Sequence, residues 1–450
     1  MTAQEICGMG IREIQAKFRD KSLSVRELAA DCITRIAEID SCPDGLNAVL
    51  ELNPDALNQA AALDEQLKGI YTDSELFGIP ILLKDNINTG DRLRTSAGSL
   101  ALADNYAGED APLVARLREA GAVILGKANM TEFANFMCDG KMPSGYSSRG
   151  GQVINPHVRT ETPSGSSSGS AVAVAAGLCA AAIGTETCGS IISPAQHCGI
   201  VGIKPTKGLV DGAGIIPISY TLDTAGPMTR SVEDAAIMLN AMSVCGNEYD
   251  YTRHLNPDGL KGARIAVYQE RNEENPAYEN LLKILTDAGA IVIDVELGNE
   301  YNIGDLMKCE FKACINHYLS TARSSMKSLN DIILYNQAHA ARALKYGQDL
   351  LLYCQNETTG NMTEPRYINA LLERERAIAR LDAVFDESGA DVILCDCYRT
   401  APFTGFPSMT VPIGKREDGL PYGSYWIARR FDEAALIRVC GAVEAAVGCQ

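Results

Sequence analysis

Histidine is scarce in this sequence, five residues in 450. They are His157, His197, His254, His317 and His339, and none stands in a G-x-S-x-G nucleophile elbow beside a recognisable acid partner. Histidine-assisted serine chemistry therefore has no visible support. Cysteine is plentiful at fifteen residues, yet no C-x-x-C occurs. The tightest pair, Cys395-Asp396-Cys397, has no histidine nearby and is a weak metal signal. Long apolar runs are missing as well. The longest, Ala171 to Ile183, is alanine-rich and too short to span a bilayer. Residues 1–20 carry no apolar core with a cleavage site, so no signal peptide is evident. No linker rich in proline or glycine and no internal repeat divides the chain.

Basic charge is also in deficit. The net charge of −17 is spread along the chain and weighs against nucleic-acid or anionic-membrane partners. It also mildly disfavours anionic substrates. The cysteines, thin for this length, read as small buried hydrophobes in a reducing cytoplasm. Length alone suggests about two to three average domains. Without a linker, one compact domain over residues 1–450 is the better reading.

What is present alternates between helical and strand patterns. Val25 to Ile39 reads as an amphipathic helix, opened by a Ser24/Glu27 capping box. Asp110 is placed to cap a helix ending at Ala120 and Gly121. Helices are expected from Ser231 to about Ser243, Pro276 to Ala288 and Asp432 to Val447. Buried strands are expected at Ala122 to Leu125, Arg264 to Tyr268, Ile291 to Val295, Asp391 to Cys395 and Ser408 to Val411. Strands alternating with helices indicate a layered α/β core. Residues 300–388 differ, reading as several helices without clear strands.

Two Ser/Gly-rich loops stand out: Ser164-Gly165-Ser166-Ser167-Ser168-Gly169-Ser170 and Gly184-Thr185-Glu186-Thr187-Cys188-Gly189-Ser190. A Gly/Ser run is more often a flexible linker. The first one, however, leads straight into the small-residue segment Ala171 to Gly177, a tightly packed helix or strand. Upstream, Lys84 ends the apolar run Gly78 to Leu83. A serine hydroxyl needs an adjacent base to act as a nucleophile. A lysine whose pKa is lowered by burial can serve, and a second hydroxyl can relay the proton. Lys84, Ser166 and Ser190 are the candidates for base, relay and nucleophile. The backbone N–H groups of Thr187, Cys188, Gly189 and Ser190 are candidate oxyanion donors. Taken singly, Lys84 also reads as a snorkelling surface lysine and Ser190 as a loop serine or cap.

These loops resemble the amidase signature family. The resemblance continues through Cys198 to Thr206, Leu222 to Arg230, Gly78 to Asn88, Gly126 to Glu132 and Gly405 to Pro412, densest over residues 78–230. It implies an α/β fold, a mixed twisted β-sheet between helices, in a single amidase domain with signature core 78–230. The helical segment 300–388 would shape the substrate pocket. It implies Ser190 as nucleophile, Ser166 as bridging serine after a cis peptide bond, Lys84 as base and Thr187 to Ser190 as the oxyanion loop. Ser144, Gly145 and Tyr146 fall in a stretch that lines the site in relatives. Glu186, Cys188 and Ile192 depart from the usual aspartate, glycine and arginine, and Ser164 and Ser168 replace glycines. The Glu186, Ser164 and Ser168 variants, with Arg149 to Gln152 and Asn155-Pro156, look most like the peptide amidase branch. Cys188 has a rival reading as a thiol nucleophile, but nothing beside it lowers its pKa and Glu186 would raise it.

The resemblance implies a cytoplasmic serine amidase that converts a carboxamide, such as a peptide C-terminal amide or amino-acid amide, to a carboxylate and ammonia. It would use an acyl-serine intermediate and no metal or cofactor. The partner is a small-molecule or peptide amide substrate, with no nucleic acid and no membrane; a homodimer is left open. Three alternatives remain: an acyltransferase that joins an amine to the acyl-serine, the glutaminase-type subunit of a tRNA-dependent amidotransferase, and a binding protein on the same scaffold.

Overall fold

Alternate residues of the central strands enter different hydrophobic clusters. Ile265 and Val267, Val392 and Leu394, and Trp426 and Ala428 join one cluster. Their neighbours Ala266 and Tyr268, Ile393 and Cys395, and Tyr425 and Ile427 join another. Side chains of a strand point alternately to its two faces, so this sheet is apolar on both and must be covered on both. The molecule, a computed structural model, is described over residues 8–67, 74–246, 249–268, 276–298 and 301–448. Residues 1–7 of the amino-terminal stretch and residue 300 of the helical segment lie outside the described residues.

Eleven of the described strands form one sheet. They are β1 Val49–Leu52, β2 Pro80–Lys84, β3 Val123–Ala128, β4 Ala181–Glu186, β5 Val201–Lys204, β6 Thr224–Thr229, β7 Arg264–Tyr268, β8 Ile291–Asp294, β9 Val392–Cys395, β10 Ser408–Lys415 and β11 Pro421–Ala428. Their order across the sheet is β1-β3-β2-β4-β6-β5-β10-β11-β9-β7-β8. The sheet is mixed. β2 runs parallel to both β3 and β4, and β7 runs parallel to β8 and β9, whereas β4–β6, β5–β6, β5–β10 and β10–β11 are antiparallel.

The helices used below are α1 Val25–Arg35, α2 Pro112–Glu119, α3 Ser168–Ala175, α4 Ile192–Cys198, α5 Val232–Met242, α6 Ile303–Thr321, α7 Leu329–Ala338, α8 Asp349–Glu357, α9 Pro365–Ser388 and α10 Glu433–Val447. Ser24 and Glu27 form the expected reciprocal cap of α1. The helix stops at Arg35 and the chain widens into a π-turn over Ile36–Asp40 rather than continuing to Ile39 as α-helix. Asp110 does not cap α2. Its carboxylate accepts the Gly90 N–H at 2.7 Å and pairs with Arg118 at 2.9 Å, while Ala111 occupies the cap position. The segment left open between helix and strand is α3, whose residues Ser168 to Val174 are all buried.

The 300–388 segment is helical as expected. α6, α7 and α8 share a separate apolar cluster with Phe133, Phe136, Ile216 and Ile218. The first turns of α6 and the middle of α9 close over Cys188, Leu222 and Phe403. That contact brings the segment to the serine loops. No helix among the described residues is long and apolar enough to cross a membrane.

Candidate active site

Parallel strands β3, β2 and β4 end side by side, and the loops leaving them converge. Such carboxyl ends of strands are where α/β sheets place ligands. Lys84 is the last residue of β2 and is 0% exposed. Its Nζ lies 2.8 Å from Ser166 Oγ and 3.0 Å from the carbonyl of Thr185 at the end of β4. Burial pulls the Lys84 ammonium down to about 7, against the opposing pull of the Asp223 and Glu186 carboxylates.

The serine loop is fixed from several sides. The Gly165–Ser166 peptide bond is cis, as the family resemblance implies. The Ser166 carbonyl accepts the Thr131 N–H at 3.1 Å, and Ser167 Oγ donates to Thr185 O at 3.1 Å. A Cβ at Gly165 would sit 2.4 Å from Thr131 Oγ1, so only glycine fits there. The Ser167 N–H donates to the Ser190 carbonyl at 3.1 Å, which joins this loop to the second one beside Ser166. Ser190 is 7% exposed.

Glu186 shapes the second loop. Its carboxylate accepts the N–H groups of Ile191 at 2.7 Å and Ile192 at 3.0 Å, and also faces the Gly189 N–H. Burial raises its pKa, while those N–H groups and the nearby Lys204 ammonium lower it. Thr187 Oγ1 donates to Asp223 Oδ1 at 2.5 Å. Burial pushes Asp223 up to about 6. Among the described residues no acceptor takes the N–H of Thr187, Cys188 or Ser190. Unpaired backbone donors this deeply placed are costly unless a ligand or water meets them. The sequence nominated four oxyanion donors. The structure leaves three of them open and turns the fourth, on Gly189, towards Glu186.

Gly189 has φ +79°, and a Cβ there would lie 2.9 Å from the Tyr398 ring. Replacing Gly189 with alanine strains the backbone by about 1–2 kcal/mol and displaces Tyr398. The expected result is a lower melting temperature together with a fall of about tenfold or more in kcat/KM, read by thermal shift and steady-state hydrolysis. Unchanged kinetics would mean that the loop tolerates a different shape.

Cys188 is not poised as a thiolate. It packs beside Leu222, Leu306 and Phe403, and burial, with Glu186 next, pushes its thiol up to about 12. Ile192, at the family's arginine position, is fully buried among Ala266, Ile393 and Tyr425. Ser144 Cβ approaches within 3.4 Å of where a Gly165 Cβ would stand, and the Gly145 N–H donates to Thr131 Oγ1 at 2.8 Å. Both therefore flank the serine loop. Tyr146 instead stacks edge-on against Tyr346 at 4.9 Å under Lys345. Sequence reasoning missed Asn86, Thr185, Asp223, Glu310 and Tyr398. Asn86 Nδ2 donates to Thr185 Oγ1 at 3.0 Å. A cavity of about 860 Å³, lined by Asn88, Lys207, Tyr220, Asp223, His317 and Tyr318, meets the site only through Asp223. None of Lys84, Ser166 or Ser190 borders it.

A mixed sheet with a buried lysine and serine loops at its strand ends defines an α/β frame for a hydrolase that does without histidine. The Amidase family model matches residues 27–405, and the chain belongs to the amidase signature family. It is an enzyme that hydrolyses amides. The peptide amidase from Stenotrophomonas maltophilia is 40% identical, with a TM-score of 0.91 over 97% of this chain and 96% of that one. Another peptide amidase structure holds the competitive inhibitor chymostatin. A probable amidase of Arabidopsis thaliana is 36% identical over 97% of this chain and 89% of its own length. The amidase-like subunit of the Exiguobacterium sibiricum glutamyl-tRNA(Gln) amidotransferase is 34% identical over 98% and 97% respectively.

Proposed function

We propose that this amidase hydrolyses primary carboxamides, with peptide C-terminal amides or amino-acid amides as substrates, through an acyl intermediate on Ser190. The observation that carries this reading is the contact of 2.8 Å between Lys84 Nζ and Ser166 Oγ in a dry site. A neutral Lys84 amine takes the Ser166 hydroxyl proton as Ser166 takes that of Ser190. Ser190 Oγ then bonds to the amide carbon, and the oxyanion settles on the open N–H groups of Thr187, Cys188 and Ser190. The proton returns through Ser166 to the leaving nitrogen, the C–N bond breaks and ammonia departs. Water then attacks the ester by the same route and frees the carboxylate and Ser190.

Peptide amides are favoured by the likeness to the peptide amidases. A reducing, cytoplasmic setting is favoured by the cysteines of the described residues, none of which is in a disulfide. The measurement is ammonia release from peptide amides, amino-acid amides, aliphatic and aryl amides and glutamine. Release from peptide amides that vanishes in Ser190→Ala is the expected result. Equal rates with Ser190→Ala would overturn the nucleophile assignment. The likeness to the amidotransferase keeps a second reading in view. Activity on glutamine only beside a partner protein would bring it forward, and transfer to an added amine in place of water would favour an acyltransferase. Gel filtration of the purified chain tests the homodimer.

A further inference from the structure

Glu310 lies on α6, in the helical segment, and is 1% exposed. A buried carboxylate is costly unless hydrogen bonds satisfy it. Glu310 is well supplied. It accepts Ser219 Oγ at 2.6 Å, the Thr221 N–H at 3.1 Å, the Thr221 hydroxyl and the Tyr367 hydroxyl at 2.9 Å. All but the last come from a single turn. The same turn is gripped from its other side by Asp223. Its Oδ2 accepts the N–H groups of Ile218 at 2.8 Å and Ser219 at 3.0 Å, and its main-chain carbonyl accepts Lys207 Nζ at 2.7 Å. The remaining oxygen of Asp223 takes the Thr187 hydroxyl at 2.5 Å. Thr187 opens the run of open N–H groups that ends at Ser190.

From this chain of contacts we infer that Glu310 is a positioning residue for amide hydrolysis, holding the 218–223 turn so that Asp223 fixes Thr187 and with it the oxyanion loop. Glu310 touches no reacting atom. It links helices that line the pocket to backbone that receives negative charge in the transition state. Shifts of about 1 Å in such groups cost on the order of 10²-fold in rate. The inference rests on the oxyanion role given above to the 187–190 loop.

The test is a double-mutant cycle with Glu310→Gln and Thr187→Val, read as kcat and KM on a primary amide. Thr187→Val removes the hydroxyl that meets Asp223 and keeps the backbone N–H. Each single change is expected to lower kcat about 10- to 100-fold with KM within about twofold. The double variant is expected to be no worse than Thr187→Val alone. If the two losses multiply, or if Glu310→Gln keeps its kcat, the inference is overturned. A purely structural defect would add to the Thr187 loss and would not show this coupling. Should Glu310→Gln fail to fold, Tyr367→Phe and Ser219→Ala each remove one donor to Glu310. Both are expected to lower kcat and to lose that effect in a Thr187→Val background. Wild-type turnover without this coupling sinks the inference alone; silence of wild type on every amide sinks it together with the proposed function.

Discussion

Lys84→Met will eliminate amide hydrolysis, with kcat/KM falling by about 10⁴-fold or more, on the scale of losing one member of a catalytic triad. Methionine matches the length of lysine and is at home in an apolar pocket, so the loss is of the amine and not of volume. The carbonyl of Thr185 keeps a partner in Ser167 Oγ when Lys84 goes. The folded protein holds the Lys84 ammonium down at about 7. The unfolded chain protonates the same amine up to about 10. Between those values the unfolded state carries a proton that the folded state lacks, so stability contributed by this group rises with pH across that window and is lowest below about 7. Replacing Lys84 removes that burden. Lys84→Met is therefore expected to melt no lower than wild type at neutral pH, in spite of being inactive. The wild-type enzyme should lose kcat/KM on the acid side as pH drops through about 7, because only the neutral amine accepts a proton. Full activity at pH 5, or in Lys84→Met, would remove lysine from the mechanism.

Ser190→Ala will lower kcat by about 10⁵- to 10⁶-fold and abolish labelling by a fluorophosphonate. Its fold should survive, since the contact that joins the two loops uses the Ser190 carbonyl and not its hydroxyl. Cys188→Ala separates the two candidate nucleophiles. A thiol pushed up to about 12 contributes almost no thiolate at neutral pH, so this variant should keep its rate within a few-fold. Loss of activity in Cys188→Ala with retention in Ser190→Ala would reverse the assignment.

Strands and capped helices were readable because their signals are local. The strand at Arg264–Tyr268 has the bounds its β-branched run suggested, and the Ser231 cap of α5 accepts the Asp234 N–H as its spacing implied. β4, β5 and β6 escaped notice, as their Ala, Gly and Thr content gives little hydrophobic contrast. They are strands because each is flanked by another strand in a buried sheet. Asp110 shows the opposite failure, in which a plausible cap is drawn off by Gly90 and Arg118. Lys84, Ser166 and Ser190 were legible only jointly, from two loops and the end of an apolar run. Glu310 gave no signal at all. A glutamate in a helix is ordinary, and its burial is decided by hydroxyls contributed from residues 219, 221 and 367. Tyr398 was equally silent, because its importance comes from the missing side chain of Gly189.

The complete burial of Lys84 limits how its proton can travel. With no exposed surface of its own, the amine exchanges protons with water only across neighbouring hydroxyls, and Ser166 is the one it touches. Each turnover then moves hydrogen along two oxygen–hydrogen bonds in concert, one on each serine. In heavy water the enzyme should slow by the product of two isotope effects, and rates plotted against deuterium fraction should bow below a straight line. A linear plot would mean that a single hydrogen is in flight and that one of the serines stands aside.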